Sequence, residues 1–426
     1  MSAEPQVTQL DSGVRVVTEG IPSVRSVALG LWSATGSRDE DPEQAGISHF
    51  LEHLLFKGTE RHSAIEISEF FDGIGASVNA ATSKETTHLH ARFLDERLDE
   101  AFEVMSEMML GPTYQEVDSE REVVIEEIAM YEDEPQDTVH DILGRAVFGD
   151  HPLGRPIIGR KEVISSVPIP AIREYHESHY NGSNLVVSAA GHLDHQRIVE
   201  LAERCFSASS GQGRDISGVE PAEPNPRRAF KTKDTEQFHI CLGGPGVNRT
   251  DDRRFALSVL DTIFGGSSAS RLFREIREKR GLAYAIGSYY EHYLETGMVA
   301  LYLGTRADNV GEACHILGDE LRRLSEPISD TELARAKESI KGRMVLAMES
   351  PAARMGRNGR SLLLDVPLLS VDELLARIDA VSAEDVAALG AELYAPERLS
   401  AACVGPDEER FRSALEPVSE SLAAAA

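Results

Sequence analysis

Apolar residues recur with helical spacing near the start of the chain, in the segment GISHFLEHLLFKGT. They occupy positions 47, 50, 51, 54 and 55. This i, i+3, i+4, i+7, i+8 stripe predicts a helix with one buried face. A Lys57-Gly58 pair follows the stripe and is typical of a helix end. The pattern therefore predicts one short amphipathic helix that stops near Lys57.

Alternating and continuous apolar runs, bounded by turn residues, predict strands before and after this helix. The predicted strands are a hairpin over residues 7–19 and single strands over residues 26–32, 76–82, 87–93 and 184–191. A capping box at Ser63–Glu66 opens a second helix that ends near Gly73. Further helices are predicted over residues 95–110, 118–131, 140–148, 169–179 and 194–206.

The second half of the chain repeats the first in outline. Residues 258–264 correspond to residues 49–55 at an offset of 209, and residues 399–405 correspond to residues 185–191 at an offset of 214. Two similar offsets from distant parts of the chain predict a duplicated unit.

A linker is predicted between the two copies, over residues 210–229. This stretch is rich in Gly, Ser, Pro and charged residues and has no apolar periodicity, which is typical of a linker. The predicted domains are therefore residues 1–209 and residues 230–426.

The amino-acid composition indicates which partners and which kinds of cysteine site are not expected. The 426 residues include 43 Lys and Arg against 71 Asp and Glu, a formal net charge of −28. Such a surface repels nucleic acid and anionic membranes, so neither is expected as a partner, although the charge also serves solubility alone. The four cysteines are scattered without a C-x-x-C pair, which predicts neither a disulfide framework nor a cysteine-ligated metal.

The N-terminal segment shows no targeting pattern. It lacks the basic and apolar regions of a secretory signal and is not Arg-rich like a transit peptide. No apolar stretch approaches the ~20 residues of a membrane span. A soluble, cytoplasmic protein is expected.

The short amphipathic helix carries an H-x-x-E-H motif made by His49, Glu52 and His53. The two histidines are four residues apart, so both imidazoles project from the same side of the helix. Two neutral imidazoles can hold a divalent metal, and a neighbouring carboxylate can take a proton from a metal-bound water. The motif is a known metallopeptidase signature. The alternative is a pair of histidines on a solvated helix face.

A catalytic metal site with two histidines needs a third protein ligand. The predicted helix over residues 118–131 offers four carboxylates, Glu120, Glu122, Glu126 and Glu127. Glu120 and Glu127 are seven residues apart and share a helix face, so one could bind the metal while the other supports it. Spacing alone does not choose among the four, and an acidic solvated helix would account for most of them.

The segment HFLEHLLFKGT, followed by SEREVVIEEIAMYEDEP, resembles the zinc signature of the pitrilysin/insulinase metallopeptidases. It is most similar to the branch of the mitochondrial processing peptidase β-subunits and bacterial single-chain relatives. The resemblance implies one Zn²⁺ per chain, with His49, His53 and Glu127 as ligands. It also implies that Glu52 is the general base and that Glu120 is the carboxylate that supports the ligands.

Two further segments extend the resemblance. Asn79, Ala80 and Ala81 resemble the family's edge strand, to which a substrate adds as an extra β-strand. In the segment REKRGLAY, Arg277 and Tyr284 resemble the family's Arg-x6-Tyr pair, which donates from the C-terminal half to the substrate. A guanidinium and a phenol hydroxyl can donate hydrogen bonds to a peptide carbonyl as it becomes an oxyanion.

The fold implied by the resemblance is α+β, with two similar halves that enclose a chamber. Each half is expected to be a mostly antiparallel sheet with helices on one face. The second half carries Ser258 and Thr262 where the first has His49 and His53. It is therefore expected to lack a metal site and to supply the Arg/Tyr pair.

The function implied is that of a zinc-dependent endopeptidase acting on peptides or unfolded polypeptides in an extended conformation. Zinc-bound water, activated by Glu52, would attack the peptide carbonyl. Because the zinc motif and the Arg/Tyr pair occur in one chain, a homodimer is expected. The family also contains scaffold proteins, so a non-catalytic scaffold or peptide-binding subunit is the alternative.

Overall fold

The computed structural model describes residues 4–211, 213 and 225–424. The strands in the described residues are β1 (Gln6–Gln9), β2 (Arg15–Gly20), β3 (Ser26–Ser33), β4 (Ser77–Thr82), β5 (Thr87–Leu94), β6 (Leu185–Gly191), β7 (Arg228–Thr232), β8 (Gln237–Gly246), β9 (Ala283–His292), β10 (Gly297–Arg306) and β11 (Ser400–Gly405). Each strand predicted from the first half is present, within a few residues of its predicted bounds.

The α-helices of the described residues are α1 (Ile47–Leu54), α2 (Ala64–Gly73), α3 (Leu98–Leu110), α4 (Val117–Asp133), α5 (Pro135–Phe148), α6 (Lys161–Ile164), α7 (Ile169–His179), α8 (His195–Phe206), α9 (Arg254–Phe264), α10 (Val310–Arg322), α11 (Asp330–Ala347), α12 (Pro351–Leu363), α13 (Val371–Ala380), α14 (Ala383–Leu393), α15 (Glu408–Leu415) and α16 (Glu420–Ala424). A π-helix spans Phe273–Glu278. The capping box predicted at Ser63 and Glu66 opens α2. None of the described helices is long and apolar enough to cross a membrane.

The first sheet has the strand order β1-β2-β6-β3-β5-β4. Its neighbours are antiparallel except for the parallel pair β2 and β6. The predicted N-terminal hairpin is confirmed as β1 and β2. Strand β4 lies at one edge, so one side of its backbone has no partner strand among the described residues.

The second sheet has the strand order β7-β11-β8-β10-β9. It repeats the first sheet strand for strand from β2 onward, including one parallel pair, β7 and β11. Strand β9 takes the edge position that β4 holds in the first sheet. The predicted α+β architecture with two similar halves is therefore confirmed.

Helices cover both faces of the first sheet. Side chains alternate along a strand, and Leu29 and Leu31 of β3 face the main core with α1 and α3. Ala28 and Trp32 of the same strand face the other way and pack against Met355 of α12. Most helices lie on one face as predicted, but the opposite face carries an additional helix.

The second sheet is built in the same way. Ile240 and Leu242 of β8 face the main core of this sheet. Cys241, between them, faces the opposite side and packs with Leu143 and Val147 of α5. Each sheet therefore buries both of its faces. One face packs on the main core, and a single helix covers the opposite face.

In both sheets, the helix that covers the face opposite the main core comes from the other half of the sequence. The chain divides into two compact units, each made of three segments. The first unit comprises the described residues of Met1–Ile128, Pro156–Ser217 and Val345–Ser370. The second unit comprises the described residues of Ala129–Arg155, Gly218–Met344 and Val371–Ala426.

The contiguous domains predicted from the sequence, residues 1–209 and 230–426, need a correction for this reason. They assign α5 and α12 each to the wrong sheet, because a helix that covers a distant sheet carries no local pattern that identifies its partner. Most of the predicted linker, residues 210–229, lies outside the described residues.

Candidate metal centre

The helix predicted from the apolar stripe is α1, and it buries Phe50 and Leu54 in the main core of the first unit. It begins after Gly46, which has a left-handed backbone with φ of 100°. The Glu40 carboxylate accepts hydrogen bonds from the backbone N–H groups of Gly46 and Ser48, both at 2.8 Å. This buried carboxylate satisfies free donors at the helix start and complements the helix dipole. The direction of the α1 side chains is thereby fixed.

His49 and His53 lie on one side of α1, with ring centroids 4.7 Å apart. Glu127 of α4 faces both rings. Its Oε2 lies 3.3 Å from Nε2 of His53 and 3.7 Å from Nε2 of His49. One ligand atom from each residue lies within 4.8 Å of the other two. In the described part of the chain, this is the only group of three or more His, Cys, Asp or Glu side chains that could hold a metal in this way.

Glu120 fixes the tautomer of His53. The Nδ1–H of His53 donates to Glu120 Oε1 at 2.9 Å, and the Lys57 ammonium lies 2.6 Å from Glu120 Oε2. An ionised carboxylate only accepts hydrogen bonds, so the ring proton of His53 is on Nδ1 and the lone pair of Nε2 faces Glu127. A carboxylate on the far side of a histidine is the usual support for a metal ligand.

The lone pairs of the two histidine Nε2 atoms and of Glu127 Oε2 face one another, an arrangement that a bound cation would stabilise. Burial, and secondarily the nearby His53 ring, lower the pKa of His49 to about 4, so His49 is neutral at pH 7. The Glu127 Oε2 atom is buried without a hydrogen-bond partner, although a carboxylate oxygen needs a donor or a cation. Ligands about 2.0–2.2 Å from a tetrahedral zinc ion are themselves about 3.3–3.6 Å apart. The two imidazoles and one carboxylate therefore fit zinc in both chemistry and spacing.

Glu52 projects from α1 towards strand β4. Thr82 of that strand lies close enough to influence the Glu52 carboxylate by hydrogen bonding. Burial raises the pKa of Glu52, while the bonds from Thr82 and the neighbouring His53 act against that rise. A raised pKa suits a group that takes up a proton near neutral pH.

The residues predicted to bind substrate, Asn79, Ala80 and Ala81, lie on the edge strand β4. Asn79 and Ala81 are exposed and Ala80 is buried, as expected for alternating side chains. The backbone N–H of Ala80 donates to the side-chain Oδ1 of Asn79 at 2.9 Å. Strand β4 packs beside α1, so the predicted substrate strand and the predicted general base are neighbours.

Arg277 and Tyr284 belong to the second unit and contact each other. The Arg277 guanidinium lies 4.5 Å from the ring centroid of Tyr284 and 4.6 Å from that of Phe273. It also donates to the backbone oxygen of Tyr284 at 3.0 Å. The Tyr284 side chain is 77% exposed, so this tyrosine is not a core residue.

In the second unit, the positions corresponding to the motif hold a different cluster. Ser258 and Thr262 replace the histidines, and Arg343 of α11 donates to the Thr262 hydroxyl at 3.3 Å. Asp261, at the position of Glu52, accepts from Ser288 at 2.6 Å, and burial raises its pKa to about 6. No metal-binding group of three side chains lies in the described residues of this unit.

Sequence reasoning missed three residues that shape the metal centre: Glu40, Lys57 and Thr82. Glu40 is only 6 and 8 residues from the two groups that it holds, whereas Thr82 is distant in sequence from Glu52. A lone acidic or hydroxyl residue in a loop or strand carries no signal of its own. Lys57 was noted only as part of a helix end.

Two family models match most of the chain. Residues 15–161 match the model described as insulinase, peptidase family M16. Residues 166–340 match the model described as the peptidase M16 inactive domain. The division between the two models agrees with the presence of the histidines in the first half and their absence from the second.

Similar proteins from several bacteria are named as zinc proteases. An uncharacterised zinc protease of Streptomyces coelicolor is 41% identical over 96% of this chain and 91% of its own length. One from Bacillus subtilis is 41% identical over 90% of this chain and 94% of its own. One from Mycobacterium tuberculosis is 37% identical over 94% of this chain and 93% of its own.

Solved structures share the fold at lower sequence identity. A protease from Helicobacter pylori superposes with a TM-score of 0.88 at 22% identity, covering 95% of this chain and 99% of the other. A peptidase M16 inactive domain from Pseudomonas fluorescens superposes with a TM-score of 0.89 at 21% identity over the same shares. Together, the family models and the relatives show that this chain belongs to peptidase family M16, the insulinase family.

Proposed function

We propose that this protein is a zinc-dependent endopeptidase that hydrolyses peptides or unfolded polypeptides bound in an extended conformation. The observation that carries the proposal is the convergence of His49, His53 and Glu127, with Glu52 beside them on the same helix. Relatives named as zinc proteases support the choice of metal and of reaction class.

A zinc ion held by His49, His53 and Glu127 would supply a Lewis acid and would lower the pKa of a nearby water molecule. Glu52 takes the proton of the attacking water and returns it to the leaving amine. Its position next to His53 on α1 places the carboxylate close to the proposed metal site, where the water would attack.

Glu120 and Lys57 hold His53 in the tautomer that binds metal. Glu120→Gln replaces an anionic acceptor with a neutral amide that can also present a donor to His53. We expect zinc affinity to fall by about 10–100-fold, because this is the usual effect of losing such a support. Competition with a chelator of known affinity measures the change. An unchanged zinc affinity would show that Glu120 does not support the site.

The substrate is proposed to add to the open edge of β4 at Asn79, Ala80 and Ala81, as an extra strand held by backbone hydrogen bonds. Arg277 and Tyr284 are proposed to donate to the substrate carbonyl as negative charge develops on its oxygen. Arg277 has no carboxylate partner among the described residues, since the nearby Glu275 pairs with Lys279 and Arg280. Its free donors support this role.

Tyr284→Phe tests the second unit's part in catalysis. Loss of a donor to an oxyanion lowers kcat by about 10²–10³-fold, so we expect a fall of this size with zinc content and thermal stability near wild type. Because the side chain is 77% exposed, removing its hydroxyl leaves no buried group unpaired. A variant with wild-type kcat would remove Tyr284 from the mechanism.

A direct test of the function combines metal analysis with a cleavage screen. Purified protein should contain close to one zinc per chain and should cleave members of a mixed peptide library, with the products identified by mass spectrometry. The match of residues 166–340 to an inactive domain leaves a scaffold or peptide-binding role as the second candidate. Protein that folds without near-stoichiometric zinc would favour that candidate.

The assembly is proposed to be a homodimer and its compartment the cytoplasm. The first proposal rests on the presence of the zinc motif and the Arg/Tyr pair in one chain, so that no second kind of subunit is needed. Sedimentation equilibrium of the purified protein distinguishes a dimer from a monomer.

A further inference from the structure

Helix α12 covers only part of the face of the first sheet that lies opposite the main core. It packs on β2, β6 and β3, and Trp32 of β3 contacts it there. Residues paired across antiparallel strands have side chains on the same face. Trp32 pairs with His88 of β5, and His88 pairs with Ala81 of the edge strand β4. Because side chains alternate along a strand, this face continues past α12 onto β5 and β4.

The part of the face beyond α12 is open and basic. We call it the open margin, and it consists of Ser77, Asn79, Ala81, His88, His90 and Arg92. Arg92 and the three β4 residues are exposed, and the two histidines are half-buried. None of the six is acidic, although the whole chain has a net charge of −28. Arg92 has no hydrogen-bond or ion-pair partner among the described residues, so its cation has no counter-ion.

Ring stacking holds the histidines of the open margin in place. The Trp32 and His88 ring centroids are 4.0 Å apart with 7° between the planes, and His88 stacks in turn on His90 at 5.0 Å. The Nδ1 atom of His90 is buried without a hydrogen-bond partner. A neutral imidazole carries one N–H donor. His90 therefore has a fixed ring whose hydrogen-bonding groups are not used by the described part of the protein.

We propose that Arg92 and His90 form a subsite for an acidic side chain of the substrate, which reaches it across β4. The proposal rests on the peptidase function proposed above, in which the substrate adds to the open edge of β4 as an extra strand. A guanidinium and an imidazole N–H can both donate to one carboxylate, and such charge-assisted bonds are the stronger class of hydrogen bond.

The small side chains of β4 leave room for this contact. Neighbouring strands lie about 4.8 Å apart, so a substrate strand beside β4 would lie roughly 10 Å from β5. Ser77 pairs with Arg92, and Asn79 pairs with His90, so only these short side chains stand between substrate and subsite. A glutamate side chain from the substrate and the long Arg92 side chain can together span Ser77. Aspartate is shorter, so glutamate should be preferred to it.

Matched peptides measure this preference. The two peptides of a pair differ by glutamate against glutamine at one position, contain no other acidic residue, and have acetylated and amidated ends. Wild type should prefer glutamate at one position by about 10-fold in kcat/KM, as expected for a hydrogen bond to a charged group. Arg92→Gln should remove this preference. Arg92→Glu should reverse it, so that a peptide with lysine at that position becomes the better substrate.

Two further variants complete the test. His90→Phe keeps an aromatic ring for stacking but loses the N–H, so it should weaken the preference for glutamate without reversing it. Arg97→Gln is the matched control, because Arg97 is also exposed and its ion-pair partner Glu100, at 3.4 Å, is exposed as well. Its preference should equal that of wild type. A preference that Arg97→Gln also removes would overturn the proposal, as would an unchanged preference in Arg92→Gln.

Peptide binding to the metal-free protein supplies a readout that does not depend on turnover. Fluorescence anisotropy of labelled peptides should show about 10-fold tighter binding of the glutamate peptide, and Arg92→Gln should abolish the difference. Trp32 is the only tryptophan of the chain, and its stacking on His88 should make its fluorescence respond to a carboxylate bound at His90. Equal affinities, or tighter binding that leaves Trp32 fluorescence unchanged, would overturn the proposal. A preference that appears only with a free C-terminal carboxylate would also overturn it.

These measurements separate the two proposals. If the wild-type protein cleaves no peptide but binds the glutamate peptide more tightly through Arg92, the proposed peptidase function fails while the subsite stands. If the wild-type protein is an active zinc peptidase without a preference for glutamate at any position, only the subsite fails.

Discussion

Replacing Glu52 with glutamine is expected to lower kcat by about 10²–10⁴-fold, the usual contribution of a general acid–base group, while zinc content stays at the wild-type level. Glutamine has the size of glutamate, but it cannot take up a proton. The loss should therefore fall on kcat rather than on KM. Steady-state kinetics together with metal analysis of the same preparation measure both quantities.

The controls for this prediction are the histidine variants. His49→Ala or His53→Ala should lose zinc and activity together, because each removes a proposed ligand. Loss of zinc in Glu52→Gln would instead mean that Glu52 binds the metal, which contradicts its role as the general base.

The raised pKa of Glu52 also predicts a stability difference in the metal-free protein. A group whose pKa is raised by folding contributes stability that is present below its unfolded pKa and is lost as pH rises through the folded pKa. Because burial raises the pKa of Glu52, this residue costs stability at pH values above its unfolded pKa, including pH 7. The Glu52→Gln variant, which lacks this charge, should be at least as stable as wild type at pH 7, as measured by thermal unfolding.

Replacing Glu127 with glutamine is expected to lower zinc affinity by more than about 100-fold, which exceeds the usual effect of losing a residue that only supports a ligand. The variant should also lose its activity, because it would no longer retain the metal. The Glu127 carboxylate is the only anionic member of the proposed ligand set, and its Oε2 faces both imidazoles. An amide oxygen carries no charge to balance the ion.

Glu126→Gln is the matched control for this prediction. It makes the same chemical change one residue away on α4, at an exposed position outside the metal-binding group. Its zinc affinity and kcat should be close to wild type. Greater sensitivity at Glu126 than at Glu127 would show that the third ligand has been assigned one residue out of place.

Local patterns predicted most of the fold correctly. The hairpin of β1 and β2, the strands β3 to β6 and the capped helix α2 each depend on residues close together in sequence, so their periodicity and turn residues identify them. The duplicated halves were visible from two similar offsets, and the two sheets repeat the same strand order.

The exchange of α5 and α12 between the two halves of the sequence was not predicted. An amphipathic helix shows which of its faces is buried but not which sheet buries it. A fragment that ends at residue 209 would lack α12 and leave Trp32 and Ala28 uncovered, because these side chains pack against that helix. The two halves of the sequence are therefore not independent folding units.

The sequence by itself determined the short helix α1, the shared side of His49 and His53, and the position of Glu52 beside them, because all three depend only on spacing within one helix. It left four carboxylates on α4 as candidates for the third ligand, and a family resemblance chose Glu127. Only the tertiary structure brings Glu127 to both imidazoles, and Glu120 to the far side of His53. These contacts join helices about 70 residues apart, and packing in three dimensions rather than periodicity sets their distances.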